Sequence, residues 1–459
     1  MATVSKKRSS GATGANAPRV PGAVPGPKAQ DIVARDERFL ATSTKTAPVA
    51  IERAEGVWLH GVDGEVWIDF CSAGAVVSTG HSHPRVVQAI QEQAGKFLHF
   101  MGTDFYYDLQ VQVAERLVEV APGKGAKKVF FTNSGTEAVE AALKLVRWST
   151  RKPQVLGFHG AFHGRTLGAL AVTASKRVQR ERYFPLLPGA THVPFPNPYR
   201  NVWGIDGYDD PDELSQRALD YIETQVLDAL VPPSECGAIL VEPVQGEGGY
   251  VVPPKPFLGG LAKLAKHHDI LLLADEVQTG NGRTGKYWAV EHSGVAPDVL
   301  ITAKGVASGM PMGAIVFRKE LDWGANGAHS NTYGGNPVVM AAAMASMDVI
   351  RDERLVENAA RVGEHMLKRL KEFPAKFEGV GDARGLGLMG ALEFVKDKSS
   401  KKPDPKTRDA VEELLWKRGV VTLGCGKSSL RFAPPLIVTR EQVDLALDLT
   451  GECLRDALR

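Results

Sequence analysis

The sequence predicts an α/β fold: a large domain with a mostly parallel sheet between helices, plus a smaller α/β domain formed by the two ends of the chain. Three observations predict it. Fully apolar runs of strand length recur through the middle of the chain. Apolar residues at helical spacing separate them, and this alternation stops near residue 340. At 459 residues the chain also exceeds what one core usually organises.

The elements follow in order. Residues 1–28 carry Lys6, Lys7, Arg8, Arg19 and Lys28, with no acid before Asp31. Nothing there could bury a core, so this stretch reads as a disordered basic tail; a transit peptide is the other reading, and the apolar stretch of a secretory signal is missing. Residues 29–80 form the N-terminal segment of the small domain. Val57-Trp58-Leu59 and Val66-Trp67-Ile68 flank Val62-Asp63-Gly64, a hairpin-type turn. The large domain spans 81–340. It opens with helical periodicity over Pro84–Ala94, then a strand at Lys128–Thr132. Ala138, Ala141, Ala142, Leu145 and Val146 line one helix face. Gln154–Phe158, Ala238–Glu242, Ile270–Ala274 and Val299–Thr302 are further strands, with a helix through Phe257, Leu258, Leu261, Leu264 and Ala265. Residues 341–459 hold a long helical stretch toward Arg369, Gly-rich turns over 379–390, an apolar strand and a final amphipathic helix.

Composition narrows the function. A net charge of +2 is too balanced for a nucleic-acid binder. Cys71, Cys236, Cys425 and Cys453 form no C-x-x-C pair, which argues against a metal site or disulfide framework and fits a reducing cytoplasm. No apolar run is long enough to span a membrane.

Strands that are apolar on both faces belong between two helical layers. In such sheets ligands sit beyond the carboxyl ends of the strands. Four polar residues follow the apolar runs there: Ser134, Glu242, Asp275 and Lys304. Ser134 and Glu137 have capping-box spacing, Gly135 permits close approach, and the free N–H groups of the next helical turn suit a phosphate; a plain helix cap has the same spacing. Asp275 after a buried strand needs a cationic partner, such as a pyridinium nitrogen, unless it is a cap or surface acid. Lys304 at a strand end could have a lowered pKa and an amine able to add to an aldehyde, or could be an exposed loop lysine.

Asp275-Glu276-Val277-Gln278, Gly282-Arg283-Thr284-Gly285 and Thr302-Ala303-Lys304-Gly305 resemble the signature of class III (ω-type) aminotransferases. These are pyridoxal-5′-phosphate (PLP) enzymes of fold type I, typified by 4-aminobutyrate, ornithine and acetylornithine aminotransferases. The resemblance runs from about Ala47 to the C-terminus. It includes Gly80-His81-Ser82-His83-Pro84, Phe162-His163-Gly164-Arg165-Thr166, Glu242-Pro243-Val244-Gln245-Gly246-Glu247-Gly248-Gly249 and Asn331-Thr332-Tyr333-Gly334-Gly335-Asn336-Pro337.

The resemblance implies roles. Lys304 carries the cofactor as a Schiff base and shuttles the proton. Asp275 keeps the pyridine nitrogen protonated, so that the ring is an electron sink. The Ser134-Gly135-Thr136 turn binds the phosphate, through the N–H groups of Gly135 and Thr136. Phe162 and Val277 cover the two ring faces, Gln278 bonds the phenolic oxygen, and Glu242 supports this network. Thr332 reaches the phosphate of a neighbouring subunit, which implies a homodimer or higher homo-oligomer. Arg431 resembles the arginine that grips an α-carboxylate, Glu247 the acid that pairs with it, and Arg165 the residue that binds a distal carboxylate. An inter-domain salt bridge is the plain alternative for the two arginines. His163 is expected to be structural, and Asp104-Phe105-Tyr106-Tyr107 could line the site.

The expected activity is transfer of an amino group from an ω- or α-amino acid, with a 4-aminobutyrate-like donor favoured, to an α-keto acid such as 2-oxoglutarate. An amino-acid racemase on the same fold is the alternative. Racemases need a second acid or base opposite Lys304, and some of this fold resemble an arrangement with aspartate where this chain has Glu247.

Overall fold

The structure, a computed structural model, describes residues 17–458. Most of the expected basic tail lies outside the described residues. Of its last part, Arg19 forms an antiparallel bridge with Val66, and a helix begins at Pro27 and runs to Phe39.

The strands are, in chain order, β1 Ile51–Glu55, β2 Trp58–Gly61, β3 Val66–Asp69, β4 Lys127–Thr132, β5 Gln154–Phe158, β6 Ala190–Val193, β7 Cys236–Val241, β8 Leu271–Asp275, β9 Val299–Ala303, β10 Gly313–Arg318, β11 Val380–Leu386, β12 Met389–Phe394, β13 Val420–Val421, β14 Leu423–Cys425 and β15 Ser429–Phe432. Seven of them form the large sheet, in the order β4-β10-β9-β8-β7-β5-β6. From β6 to β9 every neighbour is parallel. β10 alone runs the other way, antiparallel to β9 on one side and to β4 on the other.

Alternation along these strands divides their side chains between two cores. Leu240, Leu273, Val299 and Ile301 face the helix Gly135–Thr150, whose Ala138, Ala141, Ala142 and Leu145 are fully buried. Ile239, Val241, Leu272 and Leu300 face the other way, against Phe257 and Leu261 of the helix Lys255–His267. This is why the strands read as unbroken apolar runs: each residue is buried, whichever face it points to.

The smaller domain joins both chain ends. β13 pairs in parallel with β3, completing the sheet β1-β2-β3-β13. Val57, Ile68 and Phe70 share one core with Val380, Leu392, Phe432 and the final helix Arg440–Ala457. β11, β12, β15 and β14 form an antiparallel sheet in that order.

Two sequence expectations change here. The long helix after Met340 is two helices, Pro337–Asp352 and Leu355–Leu370. Arg354 between them has φ +54°, a left-handed conformation that ends the first helix. The Gly-rich turns over 379–390 are instead the β11–β12 hairpin, in which glycines sit within paired strands.

Candidate active site

The carboxyl ends of β7, β8 and β9 and the N-terminus of the helix Gly135–Thr150 open onto one cavity of about 470 Å³. Lys304 follows β9 directly and lines it, in a tight turn with φ +50°. Burial pushes the lysine amine down to about 8. The charge of Arg431 acts in the same direction, against the carboxylates of Asp275, Glu242 and Glu247.

Asp275 closes β8 and is almost fully buried. Its Oδ1 accepts the Val277 N–H at 3.0 Å, and its Oδ2 lies 2.7 Å from His163 Nδ1. Burial alone would lower the His163 pKa, but the hydrogen bond and charge of Asp275 outweigh it and raise the imidazole above its ordinary value. Glu242, just past β7, accepts the N–H groups of Phe162 and Gly246, each at 3.0 Å. Burial raises this carboxyl to about 7, with the positive His163 opposing and the negative Asp275 reinforcing the rise.

Ser134 caps the helix, taking the Glu137 N–H on its Oγ at 3.3 Å. The Glu137 carboxylate reaches back one residue further than a capping box requires, to the Asn133 N–H at 2.8 Å. Gly135 lies against Val277: a Cβ there would stand 3.0 Å from Val277 Cγ1. Thr136 lines the cavity and bonds Thr166 Oγ1 through its own Oγ1 at 2.8 Å. Phe162, Val277 and Gln278 complete the walls.

Arg165 stands exposed at the mouth, its guanidinium 6.0 Å from the Phe162 ring centre. Among the described residues no carboxylate pairs with it. Arg431 on β15 and Glu247 do not line the cavity. They face each other at 3.5 Å, and Glu247 is held more tightly by Lys176, at 2.5 Å. Buried Arg384 fastens the loop beside Glu247 by donating to Gly249 O at 2.6 Å while pairing with Asp382 and Glu393. Thr332 is exposed and outside the cavity, and the segment Asp104–Tyr107 does not line it either.

Sequence reasoning did not identify Lys176 or Arg384, and it left His163 without a partner. Their contacts join residues 71, 135 and 112 positions apart, and no local pattern carries such pairings.

The residues fit pyridoxal phosphate. A helix N-terminus with an adjacent glycine suits a phosphate, and a lysine with a lowered pKa suits an aldehyde. A buried carboxylate at the cavity wall suits a ring nitrogen. The buried Gln278 Oε1 has no hydrogen-bond partner within the chain, as expected of a group kept for a ligand.

The family described as aminotransferase class-III matches residues 39–454. Among characterised proteins, an alanine/serine racemase of Pyrococcus horikoshii is 42% identical over 95% of this chain and 92% of its own. A 4-aminobutyrate aminotransferase of Mycobacterium leprae is 36% identical over 94% of this chain and 97% of its own. The solved amine transaminase from an uncultivated Pseudomonas species, in its PLP-bound form, superposes with a TM-score of 0.84 at 30% identity, covering 91% of this chain and 98% of that one. With that match running through both domains and a cavity shaped for the cofactor, the chain belongs to the class III aminotransferase family of pyridoxal-phosphate enzymes.

Proposed function

We propose that the chain is an aminotransferase that takes its amino group from an ω- or α-amino acid, 4-aminobutyrate-like donors above all, and passes it to an α-keto acid such as 2-oxoglutarate. The observation that carries this reading is the division of labour between two arginines. Arg165 stands at the cavity mouth without a carboxylate, whereas Arg431 already has Glu247. An ω-amino donor, its amine at Lys304, carries its carboxylate some carbons away, where Arg165 can take it. An α-keto acid has its carboxylate beside the reacting carbon, and needs Arg431 released from Glu247. Lys176 then remains as the counter-ion of Glu247, so the glutamate is not left unpaired when Arg431 turns away.

Pyridoxal phosphate, when bound, supplies the electron sink and carries the amino group between the two half-reactions. The chain does the rest. Lys304 Nζ would hold the cofactor and would take up the proton released from the substrate carbon. Asp275, oriented by His163, keeps a proton on the ring nitrogen. The N–H groups of Gly135 and Thr136 hold the phosphate. Phe162 and Val277 confine the ring, Gln278 bonds its phenolic oxygen, and Glu242 orders the Phe162 and Gly246 backbones around it. Thr332 serves the phosphate of a second copy, so the working unit is a homodimer or a larger homo-oligomer. Four buried free cysteines fit a cytoplasmic setting.

Racemisation of amino acids is the second reading, supported by the 42% identity to the alanine/serine racemase. It requires an acid or base on the ring face opposite Lys304; Glu247, which stands outside the cavity between Arg431 and Lys176, would have to turn toward the ring to serve. Both readings are tested on the purified holoenzyme. Donors without keto acid should convert the bound cofactor to its pyridoxamine form, seen by absorbance, with 4-aminobutyrate-like donors ahead. If no donor does so, while single L-amino acids yield their D-enantiomers on chiral chromatography, the transferase reading is wrong and the racemase reading stands.

A further inference from the structure

Away from the cavity, the helix Lys255–His267 ends in two consecutive histidines, His267 and His268. Their rings lie edge to face, with centroids 4.8 Å apart. Facing them is Glu223, whose Oε1 lies 3.2 Å from His268 Nε2. One ligand atom from each of the three residues falls within 4.8 Å of the others. From this geometry we infer a binding site for a borderline divalent cation of the Zn²⁺ class, with Glu223, His267 and His268 as ligands.

Three features support it. Two imidazoles and a carboxylate are the donor set that zinc accepts, leaving a fourth position for water. The histidines sit at a helix C-terminus, where the carbonyl-rich end of the dipole favours a positive charge. Glu223 lies in a π-helical stretch, Tyr221–Leu227, in which Asp228 N–H bonds Glu223 O five residues back. Such turns are rare and cluster at functional sites. Here the wide turn lies directly after the helix Pro211–Asp220 and holds the residue whose carboxylate meets His268. The Glu223 side chain is 45% exposed and that of His268 17%, so a cation can reach them from solvent.

A cation there would cross-link the π-helical stretch after one helix to the end of another, on the outer layer of the large domain. It would touch neither Lys304 nor the cavity. The site therefore concerns stability or assembly rather than chemistry at the cofactor, and stands whichever reaction the enzyme performs.

The test titrates Zn²⁺ into the PLP-loaded full-length protein against a chromophoric chelator, alongside H268Q and E223Q. The expected result is one Zn²⁺ per chain in the wild type, with about tenfold or weaker affinity in each variant as one of three ligands is lost. A zinc-dependent rise in melting temperature should accompany it in the wild type and disappear in both variants, while all three proteins melt alike without metal and keep the same cofactor spectrum. Absence of saturable binding in the wild type, or equal binding in the variants, overturns the inference.

Discussion

Lys304 owes its chemistry to where β9 ends. Ala303, the last residue of the strand, already lines the cavity, and Lys304 directly after it lines the same cavity with Asp275 and Glu242. Its pKa of about 8, set first by burial and then by Arg431, leaves the amine mostly protonated at neutral pH. Cofactor-free protein should accordingly capture pyridoxal phosphate at a rate that rises from about pH 7 to about pH 9, with a midpoint near 8, because only the neutral amine adds to the aldehyde. Stopped-flow absorbance would measure it, and a profile still climbing at the ordinary lysine value of 10.5 would show that the amine is not desolvated. Linkage gives a second sign. The unfolded amine keeps its proton up to 10.5, whereas the folded one releases it near 8. Between those values the unfolded chain binds more protons, so this lysine makes the cofactor-free protein more stable as pH rises through that window.

At the scale of elements, the phosphate-binding end of the helix Gly135–Thr150 depends on its first residue having no side chain. In Gly135→Ala the new Cβ would press on Val277 at 3.0 and 3.2 Å, and Val277 would move toward the space of the ring. We expect the variant to fold normally by circular dichroism and to hold pyridoxal phosphate about tenfold more weakly, about 1.4 kcal/mol, by equilibrium dialysis. Unchanged affinity would mean that the glycine serves only the helix cap. This helix, β5, β8 and β9 were legible in the sequence because burial on both faces leaves a run of apolar residues with polar ends. β10 was not singled out, although Gly313–Arg318 is as apolar as its neighbours. Its reversed direction is set by the short connection from β9, through Lys304, and strand composition alone does not distinguish parallel from antiparallel. The β11–β12 hairpin was missed because its glycines read as punctuation. Ser134, Glu242, Asp275 and Lys304 stood out in the sequence because each follows an apolar run, and the Glu247–Arg431 pair came from the family resemblance; Lys176 did not stand out, because charge pairs leave no periodicity.

For the whole molecule, one group of exposed apolar residues lies near Thr332. Tyr333 is 60% exposed and Tyr106 97%. Phe100 and Phe105 pack with tilted rings, centroids 4.6 Å apart, and Thr103 Oγ1 donates to Asn331 O at 3.2 Å, so the two segments form one surface. Patches of this kind mark interaction sites, and a second copy here would bring its Thr332 toward the cavity. Light scattering should report twice the chain mass or a multiple of it. Thr332→Ala should weaken cofactor retention although Thr332 lies outside its own chain's cavity. A fully active monomer would remove both the dimer and this role for Thr332.

The reversed strand β10 also governs when the site can exist. β4, which leads into Ser134 and the phosphate helix, has β10 as its sole neighbour in the large sheet among the described residues, pairing Thr132 with Gly313. During synthesis from the N-terminus, β4 must wait for some 180 further residues before its edge is covered, and β3 must wait longer still, until Val420 arrives to pair with Ile68. The nascent chain thus carries open strand edges through most of translation, and closure comes late, through contacts distant in sequence. A topology that places the lysine and the phosphate turn on either side of one backward strand is therefore expected to mature slowly.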